Sequence, residues 1–113
     1  MIDHVRPAQL AAWFAASPGG GQPLVLDVRE PWERQTASVR ADGFELATVP
    51  MGELPTRLAE LDPARPVACL CHHGMRSLRV AAFLQQQGFE RLANITGGID
   101  AWSLESDPTV PRY

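Results

Sequence analysis

The chain has 113 residues, 45% of them apolar and 20% charged, with a formal net charge of -3. That size and balance fit one globular domain around a single hydrophobic core. The mild negative charge removes any chain-wide electrostatic case for nucleic-acid binding, and no apolar run approaches the roughly 20 residues that span a bilayer, so neither a nucleic acid nor a membrane is an expected partner.

Taken in chain order, Ile2 to Val5 makes a short first strand. Ala8 to Ala16 is apolar and follows Arg6. Its Leu10, Trp13 and Phe14 fall at i, i+3 and i+4, the spacing of a helix with one buried face. Asp3 and Pro7 sit poorly in a secretory leader, so a core helix is expected here and not a cleaved signal. Gly19-Gly20-Gly21 reads as a loop. Leu24 to Val28 is a short apolar strand, and Pro31 suits the first turn of a short helix through Trp32 and Glu33. Phe44 to Val49 reads as a strand, and Pro55 opens a helix with Leu54, Leu58 and Leu61 on one face.

Val67 to Cys71 is apolar on both alternating faces, as a central parallel strand covered by helices on both sides requires. Ser77 to Gln87 reads as a helix with Val80, Ala81, Phe83 and Leu84 inward. Gly88 is expected at its C′ position, with Phe89 as the hydrophobic partner of a Schellman ending. Leu92 to Ile95 is another strand. Gly97-Gly98 turns the chain into a last short helix carrying Ile99 and Trp102. Residues 105–113, with Pro108 and Pro111, are expected as an extended tail. This alternation predicts one α/β domain over residues 1–113, with a five-stranded, mainly parallel sheet and helices on both faces. In such sheets function gathers beyond the C-terminal ends of the strands, which is where Cys71 lies.

The two cysteines, Cys69 and Cys71, are two residues apart in one strand and poorly placed for disulfide geometry. Their usage fits a reducing compartment, and the cytoplasm is the expected location. Cys69 reads as a small apolar core residue, with a resolving thiol as its alternative. Cys71 enters a tight loop, Cys71-His72-His73-Gly74-Met75-Arg76, that leads into a helix at Ser77. A helix N-terminus favours a thiolate through its unbonded amides and its dipole. Gly74 permits the turn, and Arg76 and Arg79 add positive charge. Residues 72–77 thus form a candidate nest for an anionic sulfur species. Arg76 has two readings, an anion ligand or a helix arginine paired with a carboxylate. His72 and His73 either face substrate or are solvated. Zinc ligation by Cys69, Cys71, His72 and His73 is disfavoured, because structural zinc ligands come as spaced pairs from separate turns.

Several pieces of the chain together resemble the rhodanese superfamily, specifically its single-domain sulfurtransferases. They are Leu24-Val25-Leu26-Asp27-Val28-Arg29-Glu30, Val49-Pro50-Met51, the Cys-x-x-Gly-x-Arg loop at 71–76, Gly88-Phe89, and Asn94-Ile95-Thr96-Gly97-Gly98-Ile99-Asp100-Ala101-Trp102. The resemblance implies a rhodanese-like fold and a thiosulfate sulfurtransferase acting by double displacement. Cys71 would take a sulfane sulfur from a thiosulfate-like anion, hold it as a persulfide in the amides of residues 72–77, and pass it to cyanide or a thiol. A sulfur-donor protein is a further expected partner. No metal or organic cofactor is implied, and a monomer is expected. Asp27 and Arg29 would brace the rim of the site.

The rival readings are a sulfur carrier or sensor module that works through a protein partner and, by fold-level analogy, a phosphatase or arsenate reductase. Phosphatases of this fold resemble Cys-x5-Arg, one residue longer than the loop here. One stretch departs from the family: where many members carry Gly-His-Ile-x-Gly-Ala, this chain has Ala41-Asp42-Gly43-Phe44-Glu45-Leu46.

Overall fold

The computed structural model describes residues 2–17 and 22–112. The expected glycine loop at 19–21 lies outside them. Five strands form one sheet: β1 (Ile2–Val5), β2 (Leu24–Asp27), β3 (Glu45–Thr48), β4 (Val67–Leu70) and β5 (Leu92–Ile95), in the order β1-β5-β4-β2-β3. Every pairing is parallel, so the sheet is wholly rather than mainly parallel among the described residues. The helices are α1 (Leu10–Ala16), α2 (Pro31–Thr36), α3 (Leu54–Arg57), α4 (Met75–Gln86) and α5 (Gly98–Glu105).

Successive side chains of a strand point to opposite faces, and the apolar residues of the three inner strands divide accordingly. Leu24, Leu26, Val67, Cys69 and Leu92 meet Leu54 of α3 and Val80, Ala81 and Leu84 of α4. Val25, Ala68, Leu70, Ala93 and Ile95 meet Leu10 of α1 and Ile99 and Trp102 of α5. β4 is buried at all four positions between two equally apolar layers, which is why its sequence shows no polar alternation.

Three local differences from the sequence reading have physical causes. First, α4 begins at Met75, two residues before Ser77, because Gly74 adopts φ +101° and closes the turn at once. Met75, Arg76 and Ser77 therefore form the first helical turn instead of a longer loop. Second, the segment around Pro55 is a single α-turn flanked by tighter turns at Met51–Glu53 and Leu58–Glu60, although Leu54 and Leu61 are buried as the spacing implies. Third, the tail is not extended throughout. Helix α5 reaches Glu105, a turn bonds the Val110 amide to the Asp107 carbonyl, and Val110 is buried with its carbonyl accepting from Ser103 Oγ at 2.6 Å.

The Schellman ending of α4 forms as expected. The Phe89 amide donates to the Leu84 carbonyl and the Gly88 amide to that of Gln85, with Gly88 at φ +94° and Phe89 buried. The unusual stretch at 41–46 is anchored by Phe44. Its ring packs edge-on to Trp102 at 6.0 Å and against Phe14 at 6.1 Å, which pins the connection to the α1/α5 layer.

Candidate active site

Cys71 follows the last residue of β4 and is 1% exposed. Its Sγ accepts the Gly74 amide at 3.0 Å and lies 3.2 Å from Ser77 Oγ. The first amides of α4 have no intrahelical acceptor and carry the positive end of its dipole. The sulfur is thus held at the start of a twelve-residue helix by the turn that begins that helix.

Helix α5 fixes the loop from the other side. The Ile99 amide donates to the Cys71 carbonyl at 2.9 Å, and the Asp100 amide to the His72 carbonyl at 3.2 Å. In a trans peptide the N–H points opposite the C=O. Drawing these two carbonyls toward α5 turns the amides of His72 and His73 to the other side of the loop. So close an approach depends on Gly98, which has φ +58° and lies directly against the Cys71 and His72 carbonyls.

A second chain of contacts links β2, α2 and α4 beside the Cys71 loop. Arg29, with no exposed side-chain surface, grips Asp27 bidentately, Nε to Oδ1 at 2.9 Å and Nη2 to Oδ2 at 2.7 Å. It also donates Nη1 to the Glu33 carbonyl at 3.3 Å. The nearly buried Glu33 carboxylate accepts the Glu30 amide in a capping box at the start of α2 and holds both terminal nitrogens of Arg76, at 2.7 and 2.6 Å. Of the two readings of Arg76, the geometry is that of the carboxylate pair: its guanidinium ties α4 to α2. The loop's positive character therefore comes from backbone amides more than from this side chain.

His72 and His73 stack with ring centres 3.9 Å apart, the first half-buried and the second exposed. Asp100 sits near them on α5. A bond from Arg112 is the main cause holding its carboxyl below the usual range, and the charges of His73 and His72 act in the same direction. Met75 is exposed at the first position of α4. Cys69 is fully buried, and desolvation, with a smaller contribution from Cys71, pushes its thiol up to about 12. Such a thiol stays protonated at neutral pH and is poorly suited to resolve a persulfide.

The sequence reading did not single out Asn94 or Glu33. Asn94 is a buried polar residue in the otherwise apolar β5. Its Nδ2 donates to the Gly74 carbonyl at 3.1 Å, and its Oδ1 accepts from Ser77 Oγ at 2.5 Å. The signal was present in Leu92-Ala93-Asn94-Ile95, since an amide on a buried strand must find partners. A hollow of about 860 Å³ lies on the α1/α5 layer beside Leu10, Phe14, Phe44 and Trp102 and includes no residue of the Cys71 loop.

Comparison with known proteins places these features in context. The family model described as Rhodanese-like domain matches residues 10–105. A protein named sulfurtransferase from Allochromatium vinosum is 37% identical, the match covering 77% of this chain and 78% of that one. Thiosulfate sulfurtransferase GlpE of Actinobacillus pleuropneumoniae is 34% identical over 79% of each. A chloroplastic rhodanese-like/PpiC domain-containing protein of Arabidopsis thaliana is 42% identical over 79% of this chain, which spans only 30% of its length. Among solved structures, a rhodanese-related protein from Thermoplasma volcanium superposes with a TM-score of 0.76 at 30% identity, covering 98% of this chain and 99% of that one.

Proposed function

The chain belongs to the rhodanese-like family, and on that premise we propose that it is a sulfurtransferase whose nucleophile is Cys71 and whose donor is a thiosulfate-like anion. The observation that carries this reading is the seat of Cys71 Sγ against the Gly74 amide at the first turn of α4. The thiolate attacks the outer sulfur of the donor. As the new S–S bond forms, the bond from that sulfur to the sulfonate breaks, and sulfite leaves with the electron pair. The charge now rests on the outer sulfur of the persulfide, where the amides of residues 72–77 can stabilise it without reorganising. A cyanide or thiolate acceptor attacks this outer sulfur, and the Cys71 thiolate leaves. The two half-reactions give ping-pong kinetics. A cytoplasmic, reducing setting suits a thiol that must return to this state after each cycle.

The four-residue spacing between Cys71 and Arg76, with Arg76 engaged by Glu33, supports sulfur over phosphate as the group transferred. A protein persulfide as donor is a second reading. It is favoured by Trp32 and Met75, which are 62% and 71% exposed on the first turns of α2 and α4, next to the Glu33–Arg76 bridge. Two largely exposed apolar side chains add nothing to the capture of a small anion.

Intact mass spectrometry tests the assignment. Incubation with thiosulfate should add one sulfur, about 32 Da, lost again on adding cyanide. Cys71→Ser should show no gain, and Cys69→Ala should load like the parent chain. Loading of Cys71→Ser would sink the proposal. Saturation at modest thiosulfate concentration supports the small anion as donor, and loading only at very high concentration supports the protein persulfide.

A further inference from the structure

We propose that Asn94 is a positioning residue that holds the Ser77 hydroxyl proton whenever Cys71 is uncharged and yields it when Cys71 becomes a thiolate. This rests on the reading of Cys71 as nucleophile. Ser77 is fully buried, and its hydroxyl has one proton and two neighbours that can take it, Asn94 Oδ1 at 2.5 Å and Cys71 Sγ at 3.2 Å. The amide of Asn94 cannot reverse without loss, because its Nδ2 is engaged by the Gly74 carbonyl at 3.1 Å. Its oxygen therefore faces Ser77, and the Ser77 proton goes to it. The Cys71 thiol in turn donates its own proton to Ser77 Oγ while accepting the Gly74 amide.

Removal of the thiol proton to solvent inverts this order. The sulfur now has charge and no donor to offer, and a hydrogen bond to a charged acceptor is the stronger kind. The Ser77 hydroxyl swings to the sulfur, and Asn94 Oδ1 is left without its donor in a buried place, which costs energy. Once a sulfane sulfur is bound, the charge sits on the outer sulfur, Sγ is neutral, and the hydroxyl returns to Asn94. Asn94 thus stabilises the thiol and the persulfide against the thiolate that lies between them. It keeps the free thiolate reactive, and it favours the loaded form.

The proposal requires opposite signs from two adjacent substitutions. Asn94→Ala frees the Ser77 hydroxyl for the sulfur and should lower the Cys71 pKa by about half to one pH unit, the scale of one competing hydrogen bond. Ser77→Ala removes the thiolate's donor and should raise it. In a Ser77→Ala background, Asn94→Ala should have no effect, because the pathway from Asn94 to the sulfur runs through that hydroxyl. The charged and titratable groups on the elements around Cys71 are Cys69 on β4, Asp27 at the end of β2 with Arg29 just after it, Glu33 and Arg34 on α2, His72 and His73 in the loop, Arg76 and Arg79 on α4, and Asp100 and Glu105 on α5. None is altered by these substitutions, so they set the baseline and cancel in the comparison.

Thiolate absorbance near 240 nm, followed against pH with the Cys71→Ser chain subtracted, reads the titration directly. Cys69, pushed up to about 12, is present in both chains and is removed by the subtraction. This needs no sulfur transfer, so the loading experiment and the titration can fail independently. Asn94→Leu, which keeps the branching at Cγ, replaces Asn94→Ala if the latter does not fold. An unchanged or raised pKa in the Asn94 variant overturns the proposal. So does an equal shift with and without Ser77, which would mean that Asn94 acts only by holding the Gly74 carbonyl.

Discussion

Gly98→Ala should cost several kcal/mol of stability and disable the Cys71 loop in whatever fraction still folds. Two penalties combine. A residue with a Cβ at φ +58° costs about 1–2 kcal/mol over glycine. The new methyl would also stand 2.5 Å from the His72 carbonyl carbon and closer still to the Cys71 and His72 carbonyl oxygens. These are backbone atoms of the loop that seats Cys71, and they cannot move aside as a flexible side chain would. Either the loop retreats or the first turn of α5 unwinds, and both break the bonds from the Ile99 and Asp100 amides. Gly88→Ala provides the control. Gly88 has φ +94° but nothing within 4 Å of its added Cβ, so only the backbone penalty of about 1–2 kcal/mol applies. Urea denaturation should separate the two variants clearly, and thiosulfate loading of Gly98→Ala should fall at least about tenfold, the equivalent of 1.4 kcal/mol. Equal midpoints for the two would refute the account of the loop's support.

Asp27→Asn should be the most damaging change that leaves side-chain volume untouched, at about 3–5 kcal/mol. It takes the paired carboxylate away from the Arg29 guanidinium, which has no exposed surface and holds both oxygens of Asp27. A buried charge without its partner is costlier than the pair's absence. The double variant Asp27→Asn/Arg29→Met should therefore recover at least half of the loss, although it removes more hydrogen bonds than the single variant does. A double variant no more stable than Asp27→Asn would refute this ordering. The single variant should also weaken the rim, because Arg29 bonds the Glu33 carbonyl and the Glu33 side chain holds Arg76.

How much of this was legible beforehand depends on what each residue had to satisfy. The buried strand β4 showed itself because both of its faces are apolar, and α4 ended where Gly88 and Phe89 said it would. The start of α4 was misplaced because a left-handed glycine can open a helix as well as close one, and Gly74 alone does not reveal which. Cys71 and Ser77 could be named from the motif. Arg76 could not be resolved, since its choice between an anion and Glu33 depends on a residue 43 positions away being brought beside it by the order β4-β2. Asn94 was overlooked for a related reason. One polar residue in an apolar strand announces that it needs partners but not which ones, and its partner Ser77 is 17 positions back, on a helix packed over the sheet.

The two bonds from the start of α5 to the Cys71 and His72 carbonyls also couple motion to chemistry. The amide hydrogens of Ile99 and Asp100 can exchange with solvent only when those bonds open, so their exchange rates report on the integrity of the Cys71–His72–His73 peptides. Any fluctuation that frays the last helix also disorders the Cys71 loop, and any ligand that tightens the loop slows exchange in that helix. Two backbone hydrogens that belong to neither Cys71 nor α4 thereby act as a gauge of how often the loop is assembled.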